Sequence, residues 1–114
     1  IGERYLDLNK FHKAIEYFAR GGDIIKDIPS DTNEQKQTIL LVRGLAYKRT
    51  KNFESALSDY NEALTINPNY LRAYEWRGTL KYENGDNNGA CSDWLIGAEK
   101  GDKNSEINYL RLCN

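Results

Sequence analysis

The chain of 114 residues contains no methionine, one histidine, two prolines and two cysteines. Each scarcity removes a class of explanation. Without an initiator Met, Ile1 is expected to lie downstream of the natural start, with any targeting segment lost before it. His12, beside Phe11 at a predicted helix start, has no second histidine with which to build a metal site or a general-base pair. Two cysteines fall short of the roughly four ligands that a structural zinc requires. No nucleophile elbow, phosphate-cradling glycine loop or paired metal motif occurs, and Gly21-Gly22, Gly85 and Gly101 read as turn or packing glycines. No cofactor is expected, and the domain is read as non-enzymatic. Long apolar runs are also missing. The longest is 39–42, against the roughly 20 residues of a membrane span, so no membrane insertion is expected. A one-sided charge is absent too: 16 basic and 17 acidic residues interleave to a net −1. A nucleic-acid binder usually concentrates a basic excess on one face. Here only Lys48, Arg49 and Lys51 cluster, as cations do at a helix end.

What remains is 39% hydrophobic and 29% charged, the balance of a single globular domain. Its main internal signal is a repeat. Shifted by 34, Arg43-Gly44 falls on Arg77-Gly78, Ala56 on Ala90, Ser58-Asp59 on Ser92-Asp93, Tyr60 on Trp94 and Ala63 on Gly97. Small residues meet small ones and aromatics meet aromatics. A period of this length points to stacked supersecondary units.

Each unit reads as two helices. Asp31-x-x-Glu34 is a capping-box pattern ahead of a helix that runs to Thr50. Lys51-Asn52 makes a turn with Asn52 as the next N-cap, and a second helix covers 53–66. Asn67-Pro68 is read as opening a third helix, with Pro at its first position, and Asn84-Gly85 as closing it. Asp86-Asn87 caps a fourth helix that ends near Lys100-Gly101. A last helix over 103–112 is expected to cover the end of the stack with Ile107, Leu110 and Tyr109. At 100° per residue, Leu40, Arg43, Gly44 and Tyr47 share one face, and Ala56, Tyr60 and Ala63 share another. Small residues facing large ones predict close, interdigitated helix packing.

These residues carry a family resemblance. Residues 37–70, with Leu40, Gly44, Tyr47, Ala56, Tyr60, Ala63 and Pro68 at the family's intervals, resemble a tetratricopeptide repeat. Residues 71–104 are similar through Tyr74, Gly78, Ala90, Trp94 and Gly97, with Lys81 in place of an aromatic and Asp102 in place of Pro. The resemblance implies an all-α fold, a right-handed α-α superhelix of antiparallel helix pairs. One domain is expected over 1–114: an irregular partial repeat (1–30), two repeats (31–68 and 69–101) and a capping helix (102–114). In the first part Tyr5, Phe11, Ala14 and Phe18 match Tyr47, Phe53, Ala56 and Tyr60 at an offset of 42, which predicts a lengthened join over 21–36. A solenoid cut at residue 1 exposes an apolar edge. Further repeats before it, or self-association through it, are expected.

In this family the first helix of each pair lines the concave side. That implies a peptide-binding groove of Thr38, Leu41, Leu45, Lys48 and Arg49 from one repeat and Arg72, Glu75, Trp76, Thr79, Tyr82 and Glu83 from the next, with Glu3, Leu6 and Asp7 added by the partial repeat. Some members grip a terminal carboxylate with a Lys/Asn/Arg clamp; Val42 and Trp76 stand where that clamp has polar residues. An extended or helical segment with apolar anchors suits this groove better, with acidic groups near Lys48, Arg49 and Arg72. Arg43 and Arg77 are read as structural, their stems on the packed face and their guanidiniums reaching a carboxylate or carbonyl. The midpoint between Cys91 and Cys113 is Asp102, in a turn between antiparallel helices. The two thiols are therefore either bridged, which implies an extracytoplasmic setting, or small buried apolar groups in a cytoplasmic protein. The expected function is a module that binds a protein or peptide in its groove. The alternative is an assembly segment of a larger multi-repeat protein, acting through its edges.

Overall fold

The computed structural model describes residues 33–113, which contain helices and turns and no strand. The helices are α1 (Asn33–Arg49), α2 (Phe53–Ile66), α3 (Leu71–Glu83), α4 (Asn87–Glu99) and α5 (Lys103–Leu112). The expectations placed on residues 1–32 lie outside the described residues: the partial repeat, His12, Glu3, Leu6, Asp7, the long join and the Asp31 cap.

Three of the connections use one device. The N–H of Asn52 bonds back to Tyr47 O (2.8 Å), that of Asp86 to Lys81 O (2.8 Å) and that of Asp102 to Gly97 O (2.9 Å). The residue before each is left-handed: Lys51 at φ 68°, Gly85 at 92° and Gly101 at 105°. This is the Schellman end, which satisfies the last carbonyls of a helix. The closing residue then starts the next helix. Asp86 accepts from Gly89 N, and Asp102 from Ser105 N. Asn52 departs from the expected cap. It stands at the N-cap but makes no side-chain cap bond, because its amide Nδ2 donates to Thr50 Oγ1 at 2.9 Å. The fourth connection also differs from expectation. Pro68 lies in a turn closed by Tyr70 N–H to Asn67 O (3.0 Å), with Asn69 N–H donating to Asn67 Oδ1 (3.0 Å), and α3 begins only at Leu71. The Asn67 side chain and the Pro68 φ stabilise the turn together.

Each helix packs on its sequence neighbour, so α1, α3 and α5 form one layer and α2 and α4 the other. Two ring-on-glycine contacts hold the pairs together. Tyr60 lies against Gly44 and Trp94 against Gly78. Both rings are almost wholly buried, as are Ala56, Ala63, Ala73 and Ala90. Burying a ring of this size contributes about 2–3 kcal/mol. Leu41, Leu64, Tyr74 and Leu80 complete the core between the pairs.

Charge reinforces the same contacts. Arg43 Nε and Nη2 donate to Asp59 Oδ2 and Oδ1 at 2.8 and 2.7 Å; Arg77 donates in the same way to Asp93 at 2.9 and 2.6 Å. Both carboxylates are 2% exposed, so each is a desolvated charge that depends on its fork. Lys81, standing where the preceding repeat has Tyr47, adds a second cation to Asp93 at 3.1 Å. The guanidinium of Arg43 lies over the Tyr47 ring and that of Arg77 over Tyr74. Arg77 also reaches Asn61 of the preceding repeat at 2.8 Å, which ties α2 to α3.

The last helix corrects an expectation. Ile107 and Leu110 do not cover the stack; they are 50% and 71% exposed. The covering residue is Ser105, fully buried against Gly97. Residues two apart on a helix point about 200° apart, so burying Ser105 turns Ile107 outward. A disulfide joins Cys91 of α4 to Cys113 at the end of α5, with Cα atoms 5.9 Å apart and a sequence separation of 22. Closing a loop of that length stabilises by about 3 kcal/mol in the chain-entropy treatment.

Candidate functional site

Adjacent first helices leave a cleft between them. Leu45 and Lys48 of α1 form one wall, Glu75, Trp76 and Thr79 of α3 the other, and Tyr60 of α2 the floor, around about 160 Å³. The register follows from the repeat, since Thr79 of α3 stands where Leu45 stands in α1. The Lys48 ammonium meets the Glu83 carboxylate at 3.1 Å across the gap. Beyond this strut a second hollow of about 220 Å³ is lined by Lys48, Lys51, Phe53, Leu80, Glu83 and Asn84.

Of the eleven groove residues expected among the described residues, five converge here, Leu45, Lys48, Glu75, Trp76 and Thr79, and Glu83 lines the second hollow. The others do not. Leu41 is 2% exposed and belongs to the core with Ala56, Tyr60 and Leu64, which removes it from the groove. Its position relative to α2 depends on how the two helices roll against each other, and the pattern of the helix alone does not specify that. Arg49 and Arg72 are exposed and line neither hollow; Thr38 is half-buried, about two turns before Leu45. Tyr82 is 37% exposed, and its ring lies 5.6 Å from that of Trp94.

Two polar groups of the cleft are poorly satisfied. The Tyr60 hydroxyl is buried and has no hydrogen-bond partner among the described residues. Burial, and after it the Asp59 and Glu83 carboxylates, push this phenol well above its ordinary pKa, so it remains protonated. Glu75 is half-buried and its carboxyl is raised above its ordinary value, chiefly by desolvation. Its Oε1 accepts one long bond from Asn104 Nδ2 of α5 at 3.3 Å. The backbone carbonyl of Glu75 takes Trp94 Nε1 (3.2 Å) and Thr79 Oγ1 (3.0 Å), which fixes the residue between the layers. The Trp76 ring stands edge-on to Tyr60 with centroids 6.4 Å apart.

Sequence reasoning placed Glu83 on the groove face but missed its pairing with Lys48, and it missed Tyr60 as the floor and Asp59 and Asp93 as the arginine partners. The last two were signalled. Arg43 and Asp59 each recur 34 residues on, so the Arg-to-Asp separation of 16 appears twice.

With ring-on-glycine pairs, period and layering in view, comparison with known proteins is decisive. A family model described as Tetratricopeptide repeat matches residues 39–70. The domain is a tetratricopeptide-repeat solenoid. RNA polymerase II-associated protein 3 of Xenopus tropicalis is 31% identical over 114 residues, covering 99% of this chain and 16% of the relative. The Homo sapiens protein of that name is 30% identical over 81 residues, 71% of this chain and 11% of its own length. The chain thus spans about a sixth or less of the length of these relatives. A solved structure, the first TPR of Spaghetti (RPAP3) bound to HSP90 peptide SRMEEVD, superposes with a TM-score of 0.65 at 23% identity, over 97% of this chain and 83% of that one. The likeness extends to the tetratricopeptide fold. Among the described residues no helix is long and apolar enough to cross a membrane.

Proposed function

We propose that this tetratricopeptide domain is a protein-interaction module that holds an extended or helical segment of its partner along the groove of α1 and α3, anchored between Leu45 and Trp76. The cleft carries this reading. It is a concave, half-buried site of mixed character, with Leu45 and Trp76 beside Lys48, Glu75 and Thr79, as recognition sites are. Aromatic anchors such as Trp76 are typical of the points where binding energy concentrates. The Spaghetti domain is a peptide binder by its description. In this chain Val42 is buried and Trp76 lines the cleft, so a carboxylate clamp at those positions is not part of the proposal.

The test is a library of short N-acetylated, C-amidated peptides presented to the wild-type domain and to Leu45→Asp. Peptides selected by the wild type should lose at least tenfold in affinity to the variant, since an anchor of this size contributes about 1.5–3 kcal/mol. Selected peptides that bind both equally would refute the groove. We also propose, from the Cys91–Cys113 bond, that the domain works in an oxidising compartment. Alkylation of unreduced protein from its native source that labels two thiols would rule this out.

A further inference from the structure

We propose that the cleft between α1 and α3 receives a basic side chain of the partner, a lysine or an arginine. This rests on the groove being the binding surface and specifies what that surface selects. The acceptor that lines the cleft is a carboxylate. The Glu75 carboxylate offers about four lone-pair sites and uses one of them on a long bond from Asn104. The Trp76 indole lines the same space, and an indole face attracts a cation. The one cation on the wall, Lys48, is already matched by Glu83. The Glu75 carboxylate, by contrast, makes no salt bridge among the described residues and feels Arg72 only at longer range.

Competing occupants fare worse. An acidic side chain would face Glu75 as a like charge, with only the engaged Lys48 to receive it. A purely apolar side chain would displace water from Glu75 and leave its carboxylate with the single long bond from Asn104. A basic side chain meets this requirement. Its methylenes lie along Leu45, Trp76 and Thr79 while its N–H groups reach Glu75. The volume of about 160 Å³ is on the order of five water volumes, enough for a cationic head and part of its stem.

The experiment uses the same capped peptide library and three proteins: wild type, Glu75→Gln and Leu45→Asp. Peptides that bind the wild type and lose affinity to Leu45→Asp define the groove ligands. These should carry Lys or Arg at one fixed position. Replacing that residue by norleucine should weaken wild-type binding by roughly tenfold or more, as for a charge-assisted hydrogen bond, and should hardly affect binding to Glu75→Gln. Groove ligands without a basic residue, or a norleucine effect equal in both proteins, overturn the inference and leave the groove intact. A library without any binder sensitive to Leu45→Asp overturns the groove itself. Glu75→Gln removes a desolvated charge, so it should fold as well as the wild type, and urea unfolding monitored by circular dichroism checks this.

Discussion

Replacing Gly78 by alanine should reverse the usual sign of that substitution. In an exposed helix interior, Gly→Ala stabilises by about 1 kcal/mol through backbone entropy. At Gly78 a methyl would stand 2.5 Å from Trp94 Nε1, 2.7 Å from Cδ1 and 3.0 Å from Cε2. These are three atoms of one rigid ring. The ring has nowhere to go: it is 1% exposed, Tyr82 packs against it at 5.6 Å, and Nε1 is bonded to Glu75 O at 3.2 Å. Admitting the methyl means moving the ring or separating α3 from α4. The overpacking costs about 1–3 kcal/mol, and loss of the indole bond costs about 1 more. Against the gain in propensity, the net expectation is destabilisation by about 1–3 kcal/mol. Urea unfolding followed by far-UV circular dichroism measures it. The decisive comparison is the double mutant. Trp94→Ala removes the ring that the methyl meets, so Gly78→Ala should cost at least about 1 kcal/mol less on that background. A Gly78→Ala protein as stable as the wild type, or strictly additive energies in the double mutant, would refute the view that ring-on-glycine contact sets the helix separation.

Three more outcomes are expected. Lys51→Gly should stabilise the domain by about 1 kcal/mol, because Lys51 is the one non-glycine residue with positive φ among the described residues and holds the position that Gly85 holds in the next repeat; thermal unfolding checks this. Asp93→Ala should cost about 3–5 kcal/mol in urea unfolding, since it leaves Arg77 and Lys81 facing a buried site with no carboxylate, and Asp59→Ala should cost less because Asp59 serves Arg43 alone among the ion pairs found. Glu75→Gln should gain stability over the wild type as pH rises. The folded-state pKa of Glu75 lies above its unfolded value, so the folded state binds the proton more tightly; the penalty for the ionised form is absent below the unfolded pKa, develops as pH rises through the shifted one, and is complete at neutral pH. Equal stability of the two proteins at pH 3 and pH 7 would contradict the desolvation of this carboxyl.

The sequence alone determined the fold because its evidence is local and periodic. A 34-residue recurrence of Gly44, Ala56 and Tyr60 as Gly78, Ala90 and Trp94 requires helix pairs of one construction, since only close-packed helices need a glycine opposite a ring at that spacing. Turn chemistry marked the helix ends at Gly85 and Gly101 and the caps at Asp86 and Asp102 for the same reason: these bonds span a few residues. The tertiary structure decided whatever depends on the roll of one helix against another. Packing placed Leu41 in the core rather than the groove, and in α5 it turned Ile107 and Leu110 out while Ser105, on nearly the opposite side, went in. Packing also brought Tyr60 under the cleft, its hydroxyl unmet among the described residues, and Glu83 across from Lys48. A hydrophobic pattern specifies which face of a helix is apolar, but its edges are shared between neighbours, and the residues of a groove lie on those edges.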